Sequence, residues 1–198
     1  MDNKPNIDDT IREFEYVLEI LRNQLLDASS HFYIFEQLWP TAKVVDIITQ
    51  YRGFFQPTRL AHLDRLIIKV SDIVSNKATA PSFYRILNMI GENPSLAADI
   101  DVHRTKRCLL KHKKTLEAIK DYRNKRAAHW ITSVGDEEVG KPLLLDTKRM
   151  LEELEAIFNR ISASHSGKLW KFLYLQHRDT IRLLDALKEK RTQGRELT

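Results

Sequence analysis

The 198-residue chain has one cysteine, six glycines and six prolines. It has no apolar run near the ~20 residues that cross a bilayer. A single thiol, Cys108, makes neither an internal disulfide nor a four-cysteine zinc site. Lying beside Leu109 and Leu110 in a helical pattern, it reads as a buried structural thiol. The glycines are isolated, so no phosphate-cradling loop is present, and neither is a Gly-x-Ser-x-Gly elbow. No two histidines stand at the four-residue spacing of a zinc protease. Asp99, Asp101 and His103 alternate as metal ligands on a strand would, but they fall in a predicted helix, which splays them apart. No metal and no cofactor is therefore expected. His31, His62, His112, His165 and His177 are scattered without an obvious carboxylate or serine partner, and each reads as surface or partly buried structure. No segment alternates apolar and polar residues for long enough to predict a strand. Met1 to Asp9 is polar and lacks the apolar core of a signal peptide, so the expected compartment is the cytoplasm, with no membrane contact.

What is present is helical periodicity. Hydrophobic residues make up 42% and charged residues 30%, which suits one globular domain with a charged surface. The expected organisation is a disordered start over 1–7, a single helical domain over 8–190 and a charged, disordered tail over 191–198. A first helix begins at Asp8 or Asp9 and buries Ile11, Phe14, Val17, Leu18, Leu21 and Leu25, with a bend near Ser29 and Ser30. A second helical region covers 41–75 and is interrupted at Pro57. A short helix follows Pro81 and ends at Gly91-Glu92-Asn93-Pro94. A long helix then runs from Ser95 to about His129, with Leu109, Leu116, Ile119 and Tyr122 inward. After a polar loop over 133–142, Asp146 caps a helix that buries Met150, Leu151, Leu154, Ile157, Phe158 and Ile161. It breaks at 164–167, and a last helix carries Leu169, Trp170, Leu173, Ile181, Leu184 and Leu187. The fold class is all-α: a bundle of about five to seven helices, with the short helix near 81–90.

Charge is concentrated. Ten Lys and Arg residues between Arg104 and Arg126 are opposed only by Glu117 and Asp121, so this segment carries +8 while the whole chain carries +5. Such a basic face is the electrostatic footprint of a polyanion ligand, although a solvated helix face gives the same pattern. At its end stands Tyr122-Arg123-Asn124-Lys125-Arg126-Ala127-Ala128-His129. In a regular helix, six steps at about 100° leave Arg123 and His129 about 120° apart. They converge only where the helix ends or bends before His129, or where a second chain completes the site.

An arginine, a polar residue directly after it and a histidine near a helix end resemble the signature of the HEPN superfamily of ribonucleases. Five residues separate Arg123 from His129, within the span that family uses, and asparagine is an accepted residue after the arginine. Phe54-Phe55, Leu63-Asp64-Arg65, Ser71-Asp72 and the small pair Ala127-Ala128 resemble its abortive-infection, AbiU-type branch. The resemblance covers most of 8–190 and is specific around 122–130. It implies a helical homodimer in the cytoplasm that cleaves RNA without metal. In that reading Arg123, His129 and Asn124 are catalytic, and Lys125, Arg126, Lys120 and Tyr122 bind RNA. It further implies a toxin or phage-defence role, with an antitoxin or inhibitor protein as a possible partner. The competing expectation is a non-catalytic dimer of the same fold that binds RNA or protein.

Overall fold

The computed structural model describes residues 7–128, 136–172 and 176–196, with side chains other than those of 120, 122–143, 176 and 193–196. Among these residues the fold is all helix: α1 (Ile7–Gln37), α2 (Val45–Gln50), α3 (Arg52–Ile73), α4 (Phe83–Glu92), a 3-10 turn (Pro94–Leu96), α5 (Val102–Lys111), α6 (Lys113–Ala128), α7 (Asp136–Ser166) and α8 (Gln176–Glu196). The expected all-α bundle is what forms, including the short helix after Pro81.

Helix α1 is the spine. Phe14, Val17, Leu18, Leu21, Leu25, Ala28, Phe32 and Phe35 recur at three- and four-residue steps and are buried, so one stripe faces the core for the whole length. Asp8 and Asp9 complement the positive end of the helix dipole. Where a bend is expected, at Ser29 and Ser30, the helix runs on unbroken. Both serines are buried inside a continuous helix, and Ser29 Oγ donates to Glu155 on α7 at 2.6 Å. Helix α1 packs most broadly on α3 and also on α4, α7 and α8. A second, smaller core joins Leu38, Ile47, Phe55 and Leu184 where α1 ends and α2, α3 and α8 meet.

Four boundaries differ from the sequence expectation, each for a local reason. The break in the second helical region falls at Tyr51, and Pro57 is accommodated inside α3. Proline has no N–H to give to the carbonyl four residues back, and beside it Thr58 Oγ1 donates to Phe54 O at 2.7 Å. The single helix expected from Ser95 to His129 is instead a 3-10 turn and two helices. Asp101 caps α5 by accepting from the Arg104 N–H at 2.8 Å, and the His112 N–H turns back to Leu109 O at 3.2 Å, an i−3 bond that separates α5 from α6. The expected loop over 133–142 is helical from Asp136, so Gly140 and Pro142 lie within α7 and Asp146 is an interior position, not a cap. Leu169 and Trp170 precede the last helix. Gly167, at φ +71°, closes α7 in the left-handed conformation that suits glycine. Trp170 is then latched to α7: its N–H donates to Asn159 Oδ1 (2.8 Å), Asn159 Nδ2 donates to its carbonyl (3.0 Å), and its Nε1 donates to Ser162 Oγ (3.1 Å). The charged end is helical as far as Glu196, with Arg191 held 3.0 Å from Asp46 on α2. No described helix is long and apolar enough to cross a membrane.

Candidate nucleic-acid interface

Tyr122, Arg123, Asn124, Lys125 and Arg126 lie on the last two turns of α6, and Lys120 two residues before them. Their side chains, and His129 altogether, lie outside the described residues. The backbone settles one point. Helix α6 is continuous through Ala128, so the helix does not end between Arg123 and Ala128. Upstream, Leu116 and Ile119 are buried against the rest of the bundle, and α6 packs on α3 and α7. Four residues beyond Ile119 is a helical rotation of about 40°, and seven beyond is about 20° in the other sense. Arg123 and Arg126 therefore continue the register of the buried stripe, while Asn124 falls on the register of the exposed Lys113 and Glu117.

The basic surface before this segment belongs to two helices rather than one. Arg104, Arg107, Lys111, Lys113 and Lys114 are exposed, and Lys106 is half-buried with Nζ 2.8 Å from Asn88 Oδ1. Among them, Lys113 approaches Glu117 at 3.8 Å, a solvent-exposed pair of little energetic weight. At the junction between the helices stands His112, which is buried with Nε2 3.1 Å from Glu153 Oε2 on α7. Burial lowers its pKa below the usual histidine value, against the opposing pull of Glu153, and Lys111 adds to the lowering. Beside it, Val70, Val74, Leu109, Leu116 and Met150 wall a mostly apolar cleft of about 410 Å³.

The histidines that the sequence left unpaired have partners. His165 donates from Nδ1 to Leu96 O at 2.8 Å, places Nε2 3.6 Å from Glu15, and packs on the Phe14 ring. The His177 ring lies 5.8 Å from that of Tyr33. His31 on α1 and His62 on α3 meet Nδ1 to Nδ1 at 2.8 Å, so one ring donates and the other accepts. No sequence signal announces these pairs, because each joins residues far apart in the chain. Asp101 is a helix cap and Asp99 faces Ser164, so Asp99, Asp101 and His103 do not form a ligand set; no group of three metal-binding side chains occurs among the described residues. Cys108 is half-buried against the core.

The His31–His62 contact has a pH consequence. Burial lowers the pKa of both rings below 6.5; Arg65 and Lys69 lower that of His31 further, Asp27 opposes them, and His31 itself lowers that of His62. Unfolded imidazoles charge near the ordinary value while the folded pair resists, so below that pH the unfolded chain binds more protons. The pair's contribution to stability is complete above about pH 6.5 and is lost as pH falls from there toward the folded values. Thermal melts at neutral and mildly acidic pH check this: the melting temperature falls on acidification, and it falls less in His31→Phe/His62→Phe. Equal falls in the two proteins contradict it.

No family model, no curated protein and no solved structure matches this chain.

Proposed function

We propose that the protein is a metal-independent endoribonuclease of HEPN type, acting as a homodimer. The observation that carries this reading is the continuation of the buried α6 register into Arg123 and Arg126, directly after two helices with an exposed, mostly unpaired basic surface. Cations on the register that its own bundle covers upstream are well suited to a shared phosphate site. Two such segments brought together by a two-fold axis supply two arginines and two histidines around one phosphate.

In the proposed reaction the 2′-oxygen forms a bond to the adjacent phosphorus and the bond from phosphorus to the 5′-oxygen breaks, leaving a 2′,3′-cyclic phosphate. The proton of the 2′-hydroxyl passes to one His129 imidazole, and the leaving 5′-oxygen takes a proton from an imidazolium, the role of the second His129. Imidazole titrates close enough to neutral pH for both tasks. The planar fork of Arg123 holds the non-bridging oxygens and stabilises their added charge. Asn124 positions the base or the arginine. Lys125, Arg126, Lys120 and Tyr122 bind flanking nucleotides. The resemblance also suggests a toxin or phage-defence effector restrained by a partner protein.

Purified protein given labelled single-stranded RNA in excess chelator is expected to cut it and leave 2′,3′-cyclic ends. Tight binding with intact RNA would favour the non-catalytic RNA-binding module. Neither binding nor cleavage would favour a protein-binding one.

A further inference from the structure

We propose that the outward face of α5 is a second site for single-stranded RNA, a phosphate-tracking stripe separate from the Arg123–His129 segment. It rests on the RNA reading above and deepens it, because it assigns the strand a second anchor away from the cut.

Helix α5 contains no acidic residue. Arg104, Arg107 and Lys111 follow one another at steps of three and four, which places them within about 60° on one face, and all three are exposed. Thr105, Leu109 and His112, on the other side, are buried. Elsewhere in the fold, cations that cross between helices are matched with carboxylates: Lys69 with Asp27 at 2.8 Å, Arg85 with Glu13 at 2.6 Å and Arg191 with Asp46 at 3.0 Å. The three side chains of the α5 stripe have no such partner among the described residues. The nearest acid before the stripe, Asp101, is occupied in accepting the Arg104 N–H at 2.8 Å. Three aligned cations without counter-charges repel one another and gain most from an anion that spans them all.

The division at His112 makes this a distinct site. Arg104 to Lys111 covers about 10 Å of the α5 axis, and Lys113 to Arg123 covers about 15 Å of the α6 axis. At the junction of the two helices His112 is buried, with Nε2 3.1 Å from Glu153. A strand engaged at both places is therefore much longer than a dinucleotide. The stripe reads backbone charge and no base, so it contributes affinity and substrate length, not sequence preference.

The test uses a long, uncleavable 2′-O-methyl RNA strand and three proteins: wild type, Arg104→Gln/Arg107→Gln/Lys111→Gln, and the charge-matched control Arg178→Gln/Arg182→Gln/Lys190→Gln on the exposed side of α8. The α5 variant is expected to bind on the order of tenfold more weakly at low salt, and its log–log salt slope is expected to be shallower by about 2, since each neutralised phosphate of a single strand contributes about 0.7. The α8 control is expected to stay close to wild type. Equal loss in both variants, which net charge alone would produce, overturns the proposal, as does wild-type affinity in the α5 variant or the absence of binding by all three. Cleavage of ordinary RNA in chelator is scored separately. Binding that depends on the stripe without cleavage removes the ribonuclease reading and keeps the stripe; cleavage with unaltered binding in the α5 variant does the reverse.

Discussion

Replacing His129 with alanine is expected to slow RNA cleavage by about 10²- to 10⁴-fold, the usual contribution of a positioned general acid or base. Affinity for RNA is expected to change far less, because phosphate contacts from Lys and Arg side chains carry most of the binding energy. The wild-type rate is expected to pass through a maximum with pH. One imidazole must be neutral to take the 2′-hydroxyl proton, and the other must be charged to protonate the 5′-oxygen. Both limbs of that profile should be absent from the residual activity of His129→Ala. Rates measured over a pH series for both proteins check this. Equal rates, or parallel pH profiles, would remove His129 from the reaction and leave the basic surface as a binding surface only.

The largest expected effect on stability comes from Phe14→Ala. Phe14 has 0% exposure, begins the buried α1 stripe and packs its ring 4.8 Å from that of His165. Truncating a fully buried phenylalanine costs about 3–5 kcal/mol through lost transfer energy and an unfilled cavity. In a domain of this size that is a fall of roughly 6–20 °C in melting temperature. Tyr16 stands two positions away on the same helix and is 64% exposed. Tyr16→Ala should therefore change stability by no more than about 0.5 kcal/mol. Thermal or urea unfolding of the two variants separates burial from helix propensity, since both lose an aromatic residue from α1. Similar losses would mean that the α1 stripe does not face the core as described.

The elements most legible in the sequence are those whose pattern is self-contained. The stripe of α1 from Phe14 to Leu25 and that of α7 from Met150 to Ile161 announce themselves by three- and four-residue steps, and both are buried. Ser82 and Asn93 frame α4 close to the expected place; the Ser82 side chain accepts from the Arg85 N–H at 3.4 Å. The division of the basic segment is not legible, because 102–126 contains neither glycine nor proline. It is set by Asp101 as a side-chain cap before α5 and by the i−3 turn at His112 between α5 and α6. Trp170 misleads for a related reason. Leu169, Trp170 and Leu173 read as a helical face, whereas the amide of Asn159 pairs with both polar groups of the Trp170 backbone and holds it out of a helix. The candidate site was legible as residue types at a spacing. The structure adds the continuity of α6 through Ala128 and the register shared by Ile119, Arg123 and Arg126. The proposed convergence of Arg123 and His129 across two chains would be a matter of assembly, which one chain's periodicity does not encode.

The central claim is that the protein uses the 2′-hydroxyl of its substrate as the nucleophile, without metal. The most direct measurement is the product pattern from a DNA strand carrying a single internal ribonucleotide, incubated with the protein in excess chelator. The account predicts one cut, immediately 3′ of the ribonucleotide, with a 2′,3′-cyclic phosphate on the upstream fragment and a 5′-hydroxyl on the downstream one. Cleavage of the all-deoxy strand, or 5′-phosphate products that disappear when chelator is added, would contradict it.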